Sequence, residues 1–244
     1  MTPWRTAHRQ DRGAVATALA VVTLGLLLSC LTSPAAARLG DGRVPAPRPA
    51  TPSSAELRPA IVRDLIPYGD RRRAQMADYS QRHYGEHTYW LTDPKVVVLH
   101  FTAGGTYTSA YWTFHANTPY RGELPGVSCQ FVIDKGGTIH QLVPLAVRAR
   151  HCIGLNHVSI GIEFVQETGS GGHWADQQVL ARSRQVKAGL KLVLYLMARY
   201  GIEKKNVVGH AMANDSPYFK DLRGWRNYRS DWLAVDVREF RSRL

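Results

Sequence analysis

Apolar residues recur along this chain with two different periods. Short continuous or alternating runs predict strands at 96–100, 130–134, 138–143, 159–165 and 206–209. Between the second and third of these, Lys135-Gly136-Gly137 supplies the positive φ of a tight hairpin. Within the fourth, alternation sends Ile160 and Ile162 to one face and Ser159, Gly161 and Glu163 to the other, with Gly161 expected to leave open space beside the Glu163 carboxylate. A 3.6-residue period through Val179, Leu180, Val186, Leu190, Val193, Leu194 and Met197 predicts one long helix over 176–200, stopped by Gly201. Shorter helices are predicted over 71–79, over 110–116 with Ser109 as its cap, and over 231–244. The order of elements predicts an α/β fold: a single domain with a central sheet, largely antiparallel or mixed, flanked by helices.

The first sixty residues do not fit that pattern. Arg5, Arg9 and Arg12, an apolar stretch from Ala14 to Leu28, and Ala35-Ala36-Ala37 read as an export signal over 1–37 with its cleavage site. The apolar stretch is about 15 residues, short of the roughly 20 that a spanning helix needs, so no stable membrane span is expected after cleavage. Leu27-Leu28-Ser29-Cys30 also resembles a lipobox, but the Ala-x-Ala site fits better, and a freely secreted protein is expected rather than one anchored through Cys30. Residues 38–60, with Pro45, Pro47, Pro49, Pro52 and Pro59, read as a linker. The domain is expected over 61–244, as a monomer.

Charge narrows the partners. Lys and Arg number 31 against 19 Asp and Glu, a formal net charge of +12. An exported basic protein is drawn to polyanions, and the anionic polymers of a bacterial wall suit it. The basic residues are scattered and no helix-turn-helix, zinc-finger or RNP-like string occurs, which argues against nucleic acid as a partner. Of the three cysteines, signal cleavage leaves Cys129 and Cys152, either a disulfide or two separate buried thiols. Trp112, Tyr111, Trp174, Trp225 and Trp232 could stack on sugar rings or belong to the core, with Trp174 in its glycine-rich loop expected to be the best exposed.

The residues that carry chemistry are few. His100 closes the first apolar strand, His210 follows another, and Asp221 lies eleven residues beyond His210. Two histidines and a carboxylate are a ligand set for Zn²⁺ that keeps a fourth position for water, which loses its proton near neutral pH. Glu163 offers a general base. A histidine after an apolar run is by itself commonly a hydrogen-bonded strand end, so the weight rests on the combination.

Four strings, VVVLHFTAGG at 96–105, GVSCQFVIDKGGTIHQLVPL at 126–145, RHCIGLNHVSIGIEFV at 150–165, and NVVGH followed by SPYFKD within 206–221, resemble the type 2 N-acetylmuramoyl-L-alanine amidases, the zinc family that includes peptidoglycan recognition proteins. The resemblance implies a zinc-dependent amidase acting on peptidoglycan or muropeptides at the bond between the lactyl group and L-alanine. It implies His100, His210 and Asp221 as zinc ligands and Glu163 as the group acting on the attacking water. Lys220 and His151 are the candidates for stabilising the oxyanion. Relatives usually place the third ligand eight to ten residues after the second histidine, so Asp215, five after His210, competes with Asp221. Gln130 stands where many relatives carry a histidine, and Cys129 where phage members have a tyrosine, which shifts more of the burden to Glu163. The alternative functions are a non-catalytic peptidoglycan-binding module and an amide hydrolase acting on another acylated peptide.

Overall fold

The computed structural model describes residues 53–244. The expected export signal, Cys30 and the linker up to residue 52 lie outside the described residues. The end of the expected linker is structured: α1 (Ser54–Leu57) is closed by a capping box in which Ser53 and Glu56 satisfy each other's backbone amides, and Leu57 packs on the core. No helix among the described residues is long and apolar enough to cross a membrane.

One six-stranded sheet organises the fold. Its strands are β1 (Val62–Arg63), β2 (Val96–Ala103), β3 (Phe131–Ile133), β4 (Ile139–Gln141), β5 (Ser159–Glu167) and β6 (Val207–Gly209), in the order β1-β4-β3-β5-β2-β6. The sheet is mixed, but not largely antiparallel: the hairpin β3–β4 is antiparallel and the other pairings are parallel. The helices explain this, because long crossovers between β2, β5 and β6 return the chain in the same direction.

Around the sheet lie α2 (Asp70–Tyr84), α3 (Tyr107–His115), α4 (Gly172–Ala181), α5 (Ser183–Tyr200) and α6 (Ala234–Ser242). The single helix expected over 176–200 is two. Arg182 takes an extended conformation between them, at the point where the apolar stripe skips from Leu180 to Val186. Thr106, not Ser109, caps α3; its side chain accepts the Ser109 amide.

The two faces of the sheet do different work. Val97 and Leu99 of β2 and Ile160, Ile162 and Phe164 of β5 bury one face with Val186, Leu192, Val193 and Leu196 of α5. The opposite face carries Val98 and His100 of β2 with Ser159, Gly161 and Glu163 of β5. Parallel register places His100 beside Glu163 and Leu99 beside Gly209, so His210, the next residue of its strand line, comes level with His100. Glu163, His100 and His210 therefore stand in a row across three neighbouring strands.

Candidate metal centre

A third ligand-type group joins the two histidines, and it is not the expected one. Asp231, twenty-one residues after His210, brings its carboxylate Oδ2 to 3.2 Å from both His100 Nδ1 and His210 Nδ1, which are 3.0 Å from each other. These three are buried, and their ligand atoms all lie within 4.8 Å of one another. Asp221 points elsewhere: its Oδ2 is 2.8 Å from Nδ1 of the buried His83, which it helps to clamp together with Glu123. Asp215 is exposed at the end of a 3-10 turn and does not join the cluster either.

Local packing explains how Asp231 arrives. The chain at Asp231–Trp232 crosses directly over Gly209, where a Cβ would fall 1.7 Å from the Trp232 carbonyl oxygen. Glycine is required there. The Ala211 amide donates to the Asp231 carbonyl, and the buried Asp176 carboxylate of α4 accepts the amides of Trp232 at 2.9 Å and Leu233 at 3.0 Å. Trp232 holds a left-handed φ of 55°, unusual for a bulky residue. Its ring is buried against Phe164 and Phe240 and donates Nε1–H to the His100 carbonyl.

Hydrogen bonds outside the cluster fix which imidazole nitrogens are bare. Ser159 Oγ donates to the Leu155 carbonyl at 2.7 Å and so accepts from His151 Nε2 at 3.2 Å. His151 Nδ1 then has no proton and accepts from His100 Nε2 at 3.0 Å. On the other side, Asn227 Oδ1 already accepts the Ile153 amide while its Nδ2 donates to the Ile153 carbonyl, so His210 Nε2 at 3.0 Å must donate to it. With both imidazoles neutral, both Nδ1 lone pairs face the Asp231 carboxylate; a proton competes for the same point, because burial lowers the His210 imidazole but Cys152 and Asp231 outweigh it and raise it well above its usual range. Three electron-pair donors aimed at one buried point suit a cation. Tetrahedral zinc with bonds of ~2.0–2.1 Å needs donor separations of roughly 3.3 Å, close to those found. Burial and the neighbouring His210 push the His100 imidazole down to about 4, which keeps it a neutral donor. Burial raises the Asp231 carboxyl, but His210 and His100 outweigh it and hold the group well below the usual carboxylate range.

Glu163 opens onto the same cleft of about 380 Å³, together with His100, His151, His210 and Asp231. Its Oε2 is buried and has no hydrogen-bond partner among the described residues. Burial, and then the Asp231 charge, push its carboxyl up to about 8. An unspent buried oxygen beside a candidate cation site is free to handle a proton.

The remaining sequence candidates sort cleanly. His151 reaches the site, but it touches the back of His100 as well as lining the cleft. Lys220 does not: it is exposed, its amide binds the Gly154 carbonyl, and its charge is felt by Glu86 and His157. Gly161 leaves no open space beside Glu163, since a Cβ there would lie 2.6 Å from Cys129 Sγ and 2.8 Å from the His151 ring. Gln130 is structural, accepting the Gly161 amide and donating to the Val147 carbonyl. Cys129 and Cys152 are separate buried thiols. Trp112, at 58 % exposure, is more open than Trp174 at 40 %, and Trp232 is core.

The arrangement defines a class: an α/β domain in which two imidazoles and a carboxylate can hold one divalent cation beside an unpaired carboxylate. The chain belongs to the N-acetylmuramoyl-L-alanine amidase family, whose pattern matches residues 90–221. The match stops ten residues short of Asp231. Among curated proteins none matches. Similar solved structures include the N-acetylmuramoyl-L-alanine amidase LysC from Clostridium intestinale URNW, at 20% identity and a TM-score of 0.45 over 75% of this chain and 97% of that one. Others are the Ph2119 endolysin of Thermus scotoductus bacteriophage Ph2119, at 19% and 0.44 over 74% and 98%, and Apis mellifera PGRP-SA, at 18% and 0.39 over 51% and 75%.

Proposed function

We propose that this chain is an exported, zinc-dependent N-acetylmuramoyl-L-alanine amidase that hydrolyses the amide between the lactyl group of muramic acid and L-alanine in peptidoglycan or its muropeptides. The observation that carries this reading is the convergence of three ligand-type atoms, His100 Nδ1, His210 Nδ1 and Asp231 Oδ2, on one buried point beside the unpartnered Oε2 of Glu163. His100, His210 and Asp231 would hold the ion; when bound, zinc polarises the amide carbonyl and acidifies water. A nearby dication also favours the ionised form of Glu163. Glu163 Oε2 takes the proton of the attacking water and delivers it to the nitrogen of the departing L-alanine. His151, held by Ser159, and Asn227 keep the two imidazoles in the required tautomers. Export rests on the signal-like residues 1–37.

The test is mass spectrometry of purified cell wall digested by the purified chain. Release of free stem peptides is expected, and glycan cleavage without peptide release would reject the reading. Glu163→Gln should lower the rate by about 10²–10⁴-fold with zinc content unchanged. Asp231→Asn should lose zinc, and Asp221→Asn should keep it.

A further inference from the structure

The cleft continues past the cluster into a second lobe of about 310 Å³. The two lobes share Val127, His151, His210, Tyr228 and Arg229, so a molecule placed at the cluster runs directly from one into the other. Their charged linings differ, although Arg229 belongs to both. The first holds Glu163 and Asp231, whereas the second is lined by Arg121, Arg150, Arg226 and Arg229 and by no Asp or Glu.

Each of these arginines is set in place without a carboxylate. Arg150 is buried, and its guanidinium donates to the carbonyls of Tyr120, Glu123 and Pro125. Its charge therefore stands unneutralised in a low-dielectric wall, 4.5 Å over the Tyr79 ring. The other three are exposed and make no ion pair among the described residues. Aromatic rings position them: Arg121 lies 4.6 Å over Trp225, Arg226 lies 5.0 Å over Phe219, and Arg229 donates to the Tyr120 hydroxyl at 2.7 Å. Stacking of this kind leaves guanidinium N–H groups free to form paired bonds with an anion. Side-chain ordering that a carboxylate would otherwise have to impose is already in place.

We infer that this lobe receives the carboxylates of the stem peptide, on the amine side of the scissile bond, and that Arg121, Arg226 and Arg229 select peptides whose carboxyl groups are free over those in which they are amidated. The inference rests on the amidase reading. Given it, the direction of the substrate follows from charge. The glycan and the lactyl acyl group carry none at this bond, while the peptide beyond L-alanine carries all the free carboxylates. A lobe of four cations and no anions suits the peptide, which leaves the glycan for the other side of the cluster.

The test uses two muramoyl peptides identical except for amidation of the peptide carboxyls. Their binding to the full-length Glu163→Gln chain is measured by calorimetry, and their hydrolysis by the unaltered chain is measured in parallel. The free-carboxylate form should bind about tenfold or more tightly. Arg121→Gln and Arg226→Gln should each erase much of that preference, raising KM for the free form with kcat little changed. Arg226→Lys should keep part of it, and unchanged thermal midpoints would show that the variants fold. Equal binding of the two peptides overturns this inference and leaves the amidase reading standing. If neither peptide binds or is cleaved, both fall. If the arginine variants instead lose only affinity for a phosphodiester wall polymer, the lobe is a polymer site and the inference is wrong.

Discussion

Ser159 shows how much one hydroxyl can decide. Because its proton is committed to the Leu155 carbonyl, His151 must give it Nε2–H, His100 must give His151 its own Nε2–H, and His100 Nδ1 is left bare. Ser159→Ala removes the anchor of that series and lets His151 flip. Zinc affinity, measured by competition with a chelator, is expected to fall by about 10–100-fold, with the thermal midpoint of the metal-free chain little altered. His100, His210 and Glu163 were legible in the sequence, since alternation and strand register alone bring them level. Asp231 was not. It is separated from His210 by a twenty-residue excursion, nothing in its neighbours marks it as a ligand, and Asp221 sits nearer the customary spacing. The signal that could have found it was Gly209 before His210, which is needed only if other backbone crosses the strand there.

At the scale of elements, the site is a junction between a sheet and one returning segment. Strands β5 and β2 and the residue just past β6 present three side chains in a row, and α4 supplies Asp176 to grip the backbone that carries the fourth. That grip needs the contact over Gly209. Gly209→Ala is expected to cost about 3 kcal/mol or more, because the clash is with backbone and cannot be relieved by a rotamer change. It should also move Asp231 off the cluster, so denaturant unfolding should show lost stability and metal analysis should show lost zinc together. Stability lost with zinc retained would contradict the junction. The sequence predicted most strands and the three shorter helices, and erred where local patterns compete with tertiary contacts. The long helix breaks at Arg182, whose guanidinium binds Gln166 and Gln185, and Gln185 itself bonds the carbonyls of Ile133 and Val165. A buried polar anchor of this kind shows in the sequence only as the gap from Leu180 to Val186 in the apolar stripe.

For the whole molecule, acidity should matter through buried neutral histidines. Burial pushes His157, stacked on Tyr84 and far along the chain from the candidate ligands, down to about 4. Its folded value lies below the unfolded value near 6.5, so the fold is favoured above pH 6.5 and loses that advantage as pH falls toward 4. Asp176 works the other way, since burial raises its carboxyl to about 8, and the net slope is a compromise. The difference between the original chain and His157→Gln isolates the histidine: thermal midpoints recorded from pH 4 to pH 7 should fall less steeply on acidification in the variant. Identical slopes would remove His157 from the acid response. The excursion between His210 and Asp231 has one more consequence. Ligands at both of its ends make a bound ion a fastener that turns an open strap of twenty residues into a ring, worth roughly 3 kcal/mol of chain entropy by analogy with other cross-links of that span. Two of the arginines that line the second lobe, Arg226 and Arg229, ride on this ring. Chelation should therefore speed protease nicking between residues 222 and 229 more than elsewhere, so that losing the ion would cost the enzyme its grip on peptide as well as its chemistry.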